Sequence, residues 1–430
     1  MTDDSELLKK RLFPALLASA NFLSYIMRPT EDGLYLSPDS GSPEQSTTKP
    51  YIEYREAHEG FVPRGSAYDQ SLTYSNYLHV LDGMKALGIS EDDLDSDGKA
   101  TIERIRRQLD KLSPIVVGDS GQVKEFREET YYGEIGEPEH RHISHLCALV
   151  QGSVITESKT PAWIDASEVT MKNRGYTPHA WADIMRVCSW ARIGNGEMAH
   201  SVLVRMINNN IGDNLRSLLT GIFQVEANLA APSAIADMLL QSHEGFIAPL
   251  PAISSAWASG SFDGLPARGG FEISASWSAL HPEIIKITSL KGNACRVKYN
   301  GIARATVCDE SGAPISFDSI GDDLIAFDTE AGHTYSITAI PKISVPKKPE
   351  GLEVSEQGNT VSVSWSASDE AASYNIYRAV ESESEYTLIA SGVKNTKLLI
   401  DKIGKQATYA VTAVSENGRE SRRAHITKAI

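Results

Sequence analysis

Three imidazoles, a guanidinium and a hydroxyl fall within the octet Glu139-His140-Arg141-His142-Ile143-Ser144-His145-Leu146. The apolar run Leu146-Cys147-Ala148-Leu149-Val150 follows at once, which places the cluster at the mouth of a helix. Arg presents a rigid fork of donors, and neutral His one donor and one acceptor, a combination suited to hydroxyl-rich ligands. The same residue types also enter helices without any ligand, so the octet alone leaves both readings open. Two further segments carry carboxylates. In Ser37-Pro38-Asp39-Ser40-Gly41-Ser42-Pro43-Glu44-Gln45, the Pro, Gly and Ser residues impose an irregular loop, and Glu44 follows Pro43. In Phe223-Gln224-Val225-Glu226-Ala227-Asn228-Leu229, Glu226 and Asn228 are expected in the entrance loop of a helix over 233–241. Singly, Glu44 reads as a solvated surface acid and Glu226 as an acid favoured by a helix dipole. Together, two carboxylates on separate loops can act as general acid and general base on a glycosidic bond. In an inverting enzyme they stand about 6.5–9.5 Å apart, with a water between. Arg141 and His142 would then hold sugar hydroxyls, and Asn228 would orient a water or the base. His140, His142 and His145 also admit a metal reading, but no recognised zinc spacing supplies the remaining ligands, so no metal is predicted.

The elements that must position these residues are helical up to about residue 245. Apolar spacing predicts helices near 7–27, 67–87, 98–112, 145–150, 162–173, 178–193, 197–208 and 230–242, with Pro14 marking a kink or a start. Leu87-Gly88 and Ile193-Gly194 read as helix C-termini, where Gly supplies the left-handed cap. Paired helices joined by long polar loops point to a helical toroid. From 246 to about 345 the pattern is strand-like, as in Gly270–Trp277 and Cys295–Tyr299, and predicts an antiparallel sandwich. Pro346-Lys347-Lys348-Pro349 reads as a stiff linker. Beyond it, Val361-Ser362-Val363-Ser364-Trp365, Tyr374-Asn375-Ile376-Tyr377-Arg378 and Tyr409-Ala410-Val411-Thr412-Ala413-Val414 have the period of strands, a core Trp and a corner Tyr. This last segment resembles a fibronectin type III domain.

Composition bounds the rest. The chain has 430 residues, too many for one ordinary core, with 41% hydrophobic and 23% charged residues. Its net charge of −15 argues against nucleic acid or an anionic membrane as partner and fits a neutral ligand. No apolar run approaches a membrane span, and Met1-Thr2-Asp3-Asp4-Ser5-Glu6 has no signal-peptide pattern. The four cysteines show no CxxC spacing. Cys147 and Cys188 fall in helix-like apolar patterns and are expected buried, while Cys295 and Cys308 lie in neighbouring strand-like runs whose pairing stays open.

An ordered series of motifs then carries a family resemblance. It runs through Ser42-Pro43-Glu44-Gln45, Asp69-Gln70, Gly121-Gln122-Val123-Lys124-Glu125-Phe126, the His-Arg-His octet and Phe223–Asn228. Leu239-Leu240-Gln241-Ser242-His243, Leu250-Pro251-Ala252, Ala256-Trp257 and Gly264–Glu272 continue it. Over about residues 1–300 the chain resembles glycoside hydrolase family 95, whose members are inverting α-L-fucosidases and some α-L-galactosidases on an (α/α)6 barrel flanked by β-domains. The resemblance implies exo-hydrolysis of α-linked L-fucose or L-galactose from a fucosylated oligosaccharide, such as a plant or mucin glycan, with no cofactor. It implies an extracellular or cell-surface location. By position, Glu44 matches the family's general acid, and Arg141 and His142 its sugar-binding pair. Glu226 stands where the family has the aspartate of an Asp-Gly-Asn-Phe-Gly motif, here Glu226-Ala227-Asn228-Leu229-Ala230. The family's Asn-Ile-Asn-type motif upstream of the acid loop is missing. About eight helical patterns appear where an (α/α)6 barrel needs twelve. The expected architecture is therefore a partial (α/α)6 toroid (1–245), an antiparallel β-sandwich (246–345) and a fibronectin type III sandwich (346–430), beginning partway through the family's catalytic domain. An opened toroid exposes apolar helix faces, so self-association or pairing with a missing N-terminal half is expected. The altered Glu226 motif supports one alternative, a catalytically inactive carbohydrate-binding or scaffolding protein.

Overall fold

The computed structural model describes residues 4–60, 62–177, 179–219 and 221–426. Contacts group the chain into two compact units. One holds Tyr176–Ile343, the other Ser5–Gly175 together with Ser344–Ile430.

The second of these units carries the Glu44 loop and the octet. Its first helix runs from Ser5–Leu7 through a π-helical turn, Leu8–Leu12, into Phe13–Ile26. Pro14 cannot donate to the turn behind it, and that turn widens to π geometry. Helices Ala67–Leu87 and Ser96–Leu109 pack against it around Phe13, Tyr77, Val80, Met84, Ile102 and Ile105. Both have side-chain N-caps, Ser66 accepting from the Asp69 N–H and Asp95 from the Gly98 N–H. Gly88 closes the longer helix at φ 62°, a conformation that costs glycine little. A helix the periodicity did not predict, Lys49–Ala57, buries little besides Tyr51 and so leaves almost no apolar stripe to read. Helix Pro161–Arg174 is buried on most of its faces.

In the same unit, residues 353–425 form two antiparallel sheets. One orders Glu353–Gln357, Thr360–Ser364 and Lys397–Asp401. The other orders Thr387–Val393, Ser373–Val380, Ala407–Val414 and Ala424–His425. Val363, Trp365, Ile376, Tyr409 and Val411 fill the space between them, as the alternation predicts. This sandwich is docked on the helices. The Trp163 Nε1–H donates to the Ser382 carbonyl at 3.0 Å and the Ala162 N–H to that of Ser384 at 3.0 Å. Arg423 bonds Asp165 at 2.8 Å and both Glu157 oxygens at 2.8 and 3.0 Å. Lys348, read in sequence as linker, lies within 3.8 Å of the buried Glu168.

In the other unit, helices Ala180–Ile193, Gly196–Asn210 and Glu226–Leu239 pack together, with Gly194 at φ 78° ending the first. Pro178, where the sequence pattern of that helix starts, lies outside the described residues. The last helix departs from expectation: it starts at Glu226, so Glu226 and Asn228 occupy its first turn, not an entrance loop. Pro232 sits inside it. The packing of Ala227, Ala234 and Met238 carries the helix past that break. A five-stranded sheet and a three-stranded sheet follow, both antiparallel, sharing a core of Ile273, Ile285, Ile287, Val297, Ile325 and Ile337. Cys295 and Cys308 lie in different sheets and all four cysteines are free. Burial pushes the Cys147, Cys188 and Cys295 thiols up to about 12. Among the described residues no helix is long and apolar enough to cross a membrane.

The docked sandwich yields a test. Arg423→Ala leaves Asp165 buried without its cation, which costs about 3–5 kcal/mol. Calorimetry should show the unit's melting transition moved down by several degrees, with proteolysis appearing first near residue 346. An unshifted melt would mean that Arg423 does not hold the sandwich in place.

Candidate active site

The loop that bears Glu44 has almost no regular structure between the short strand Tyr35–Leu36 and the turn Gln45–Thr47. Side chains hold it instead. The fully buried Gln70 amide accepts the Ser37 N–H at 2.9 Å and donates to the Tyr35 carbonyl at 3.1 Å and to that of Leu112. Ser40 Oγ lies 2.8 Å from Ser66 Oγ and donates to the Asp69 carboxylate at 2.6 Å. Both partners belong to the start of helix Ala67–Leu87, so the motif Asp69-Gln70 is an anchor for the Glu44 loop. From the other side Ser144 Oγ, within the octet, donates to the Pro43 carbonyl at 2.6 Å.

These anchors bring three of the expected residues together. The Glu44 carboxylate is bonded by Arg141 Nη2 and lies 3.2 Å from His142 Nε2. Glu44 remains 56% exposed, so the cluster opens to solvent. Partial burial works to raise the Glu44 pKa, but His142 and Arg141 outweigh it and hold the carboxyl below the usual range. Burial lowers His142, with Glu44 opposing and Arg141 adding to the fall. His140 is buried behind them, its ring stacked on His142 with centroids 5.3 Å apart. Burial first, then Arg174 and Arg141, pushes His140 down to about 4. His140 is therefore neutral at ordinary pH and can accept a hydrogen bond at one ring nitrogen only. Arg141 Nη1 lies 3.0 Å from its Nε2, and the His142 N–H lies 3.2 Å from its Nδ1. His145 turns away from this face, fully buried, with Nδ1 3.7 Å from Glu125. Among the described residues no three His, Cys, Asp or Glu side chains are placed to share a metal ion.

Beneath the cluster lies a group that residue spacing did not single out. Glu125 is buried, and its oxygens accept from Ser42 Oγ at 2.6 Å, Gln45 Nε2 at 2.9 Å and Arg174 Nη2 at 3.1 Å. Burial would push this carboxyl up, but Arg174, His145 and Ser42 together hold it below the usual range. Arg174 ends helix Pro161–Arg174 and reads in sequence as a routine basic residue of a last turn; neither it nor the Gly175 cap that follows hints at a carboxylate far upstream. Glu129 lies close by, its Oε2 accepting the Phe126 N–H at 3.3 Å. Burial, then the Glu125 charge, raises it to about 7.

Glu226 and Asn228 belong to the other unit. Glu226 opens its helix and is exposed. Asn228 Oδ1 accepts the Ser217 N–H at 2.9 Å and its Nδ2 donates to the Leu215 carbonyl at 2.8 Å. Its amide thereby fastens the chain leading into the hairpin Leu218–Leu219/Ile222–Phe223. Ala227 is buried within the helical turn, where the conformational freedom of a glycine is not required.

The two buried glutamates give opposite pH dependences. Glu129, raised to about 7 from an unfolded value near 4.3, contributes stability that is full below about pH 4 and is lost as pH rises through 7. Glu125, held low, contributes stability present above about pH 4.3 and lost on acidification. Glu129→Gln should therefore gain on the wild type between pH 5 and 8, by roughly 3 kcal/mol, in melts compared across that range. Parallel melting curves for the two proteins would show that Glu129 is not raised.

Residues 1–239 match "Glycosyl hydrolase family 95 catalytic domain" and residues 241–337 match "Glycoside hydrolase family 95, C-terminal domain". Alpha-L-fucosidase 2 of Arabidopsis thaliana is 29% identical over 315 residues, 71% of this chain and 36% of that protein. Probable alpha-fucosidase A of Aspergillus oryzae is 30% identical over 245 residues, 51% of this chain and 33% of that protein. Among solved structures, a Fn3-like protein from Clostridium thermocellum is 35% identical over 19% of this chain and 92% of its own, with a TM-score of 0.17. The chain spans about a third of the length of the curated relatives it matches. With its catalytic-domain match covering more than half of its residues, the chain belongs to glycoside hydrolase family 95.

Proposed function

We propose that this chain forms part of an inverting exo-glycosidase that releases α-linked L-fucose, or L-galactose, from an oligosaccharide, with Glu44 as general acid. The observation that supports it is the solvent-open triad of Glu44, Arg141 and His142, built from the loop and the octet that match the family in order. Arg141 and His142 hold the sugar hydroxyls. Both spend donors on Glu44 and keep it ionised. A sugar that takes over those donors and displaces water would raise the Glu44 pKa toward that of a working acid. Glu44 then gives its proton to the glycosidic oxygen as the C1–O bond breaks. A water activated by Glu226 attacks the opposite face, leaving the free sugar with inverted configuration and an alcohol. Asn228 supports Glu226 by holding the chain that enters the same helix turn, and contacts the substrate from there.

The same reading covers the architecture. The helices up to 245 form part of an (α/α)6 toroid, 246–345 its β-domain, and 346–430 a fibronectin type III module, on an extracellular or cell-surface protein. Exposed Val204, Ile207, Leu215, Ile222, Phe223 and Leu229 on one unit, and Phe22 and Tyr25 on the other, support self-association or pairing with the remainder of the catalytic domain. Sedimentation should then give a dimer or larger species, and a monodisperse monomer would defeat that part.

The activity is tested with the protein at the length of its relatives. NMR of the first product from an α-linked fucosyl disaccharide should show the β-anomer. Glu44→Gln should cut that hydrolysis by about 10²–10⁴-fold while sparing an aryl fucoside, whose leaving group needs no proton. Initial release of the α-anomer, or an equal loss on both substrates, would remove Glu44 as the acid. Sugar binding without release would instead favour a carbohydrate-binding protein.

A further inference from the structure

The acid loop and the sugar-holding octet are separate stretches of irregular chain, and catalysis by a general acid needs them fixed to a fraction of an ångström. We propose that the buried Glu125–Arg174 ion pair is the positioning device of the site, setting Glu44 against Arg141 and His142 by gripping the side chains that flank Pro43-Glu44 and the backbone at His142. The proposal rests on Glu44 being the acid of the hydrolysis described above.

The grip is a closed ring of contacts. Glu125 holds Ser42 at 2.6 Å and Gln45 at 2.9 Å, the residues on either side of Pro43-Glu44. Gln45 also ties forward, its Oε1 accepting the Glu137 N–H at 2.9 Å. Arg174 holds the other stretch by its carbonyls. Its Nε and Nη2 donate to the His142 oxygen at 3.0 and 2.8 Å, and its Nη1 to those of Glu137 and Pro138 at 3.0 and 3.2 Å. The same Nη1 bonds the Tyr132 hydroxyl at 2.8 Å. The ring closes where His142 meets Glu44 at the surface. Both charges are at least 98% buried in their side chains. A buried ion pair is a poor way to gain stability, because desolvating two charges offsets most of their attraction. A guanidinium that satisfies four backbone and side-chain acceptors while its carboxylate satisfies two donors fixes geometry that an apolar pair of equal volume could not. Glu125 and Arg174 are positioning residues, acting through residues 42–45 and through the backbone at His142.

The test reads the His142 ring, which needs no turnover. In the 430-residue chain, histidine side-chain NMR follows the His142 titration, assigned by its loss in His142→Gln. Glu44→Gln removes a neighbouring carboxylate and lowers the His142 pKa. Glu125→Gln should lower it by at least half as much while the protein still melts cooperatively, and Glu125→Asp should restore part of the shift. The double variant Glu44→Gln/Glu125→Gln should add nothing to Glu44→Gln. If Glu125→Gln does not fold, Ser42→Ala/Gln45→Ala cuts the same grip with the ion pair intact, and the same shift is expected. A folded Glu125→Gln, or failing that the Ser42/Gln45 variant, with His142 titrating as in the wild type overturns the proposal. In the protein at the length of its relatives, Glu125→Gln should lose on the order of 100-fold in kcat/KM, most of it in kcat. Absence of any hydrolysis by the wild type would defeat the fucosidase reading, and the His142 titration would still decide this one.

Discussion

A carboxylate and a guanidinium that leave water together must satisfy every lone pair and proton they carry, or the pair is lost. Glu125 and Arg174 meet that demand with donors and acceptors taken from three separate stretches: Ser42 and Gln45, Tyr132 to Pro138, and His142. Those stretches have no sheet or helix of their own to order them. Their order comes from having to pay out hydrogen bonds to two buried charges. The irregular half of this unit is thus arranged around an electrostatic centre, while its regular half is arranged around the apolar cluster of Phe13, Tyr77 and Ile105. Helix Ala67–Leu87 joins the two, contributing Tyr77 and Val80 to the apolar cluster and Ser66, Asp69 and Gln70 to the Glu44 loop.

At the surface the charges play a different part. Glu44, Arg141 and His142 satisfy one another, and Arg141 and His142 hold Glu44 ionised. The neutral His140 ring stacked beneath His142 adds no positive charge to that face. A polyhydroxylated ligand can exchange its hydroxyls for these internal contacts at little net change in hydrogen bonding.

Much of this was legible in the chain because local signals carried it. Caps at Gly88 and Gly194, the apolar spacing of 67–87 and 178–193, and the alternation around Trp365 and Tyr409 each follow from a few adjacent residues. The octet and the Glu44 loop stood out because their residue types are unusual at such density. What stayed hidden depends on distant partners. Arg174 is an ordinary last-turn cation until Glu125 is brought to it across 49 positions. The helix containing Glu226 runs through Pro232 because packing against helix Ala180–Ile193 overrides the local break signal. Lys49–Ala57 has too small an apolar face to show a period. The Pro346–Pro349 segment has the composition of a spacer, and nothing within it foretells that Lys348 faces Glu168 or that the sandwich beyond it is docked.

The docking has a consequence for how the protein is made. Helix Pro161–Arg174 carries Arg174 at one end and receives the C-terminal sandwich at the other, through Trp163 and Asp165. Arg423 meets Asp165 across 258 positions of sequence. A ribosome delivers residues 5–175 early, then the whole of the other unit, and only afterwards the strands that cover that helix. At roughly 5–20 residues per second the gap lasts about 10–50 s, long enough for a helix whose Trp163 and Asp165 still lack their partners to find wrong ones. The part of the chain that builds the site must therefore wait, nearly folded, for its own last strands, and its yield in a cell is set by what shelters it during that delay.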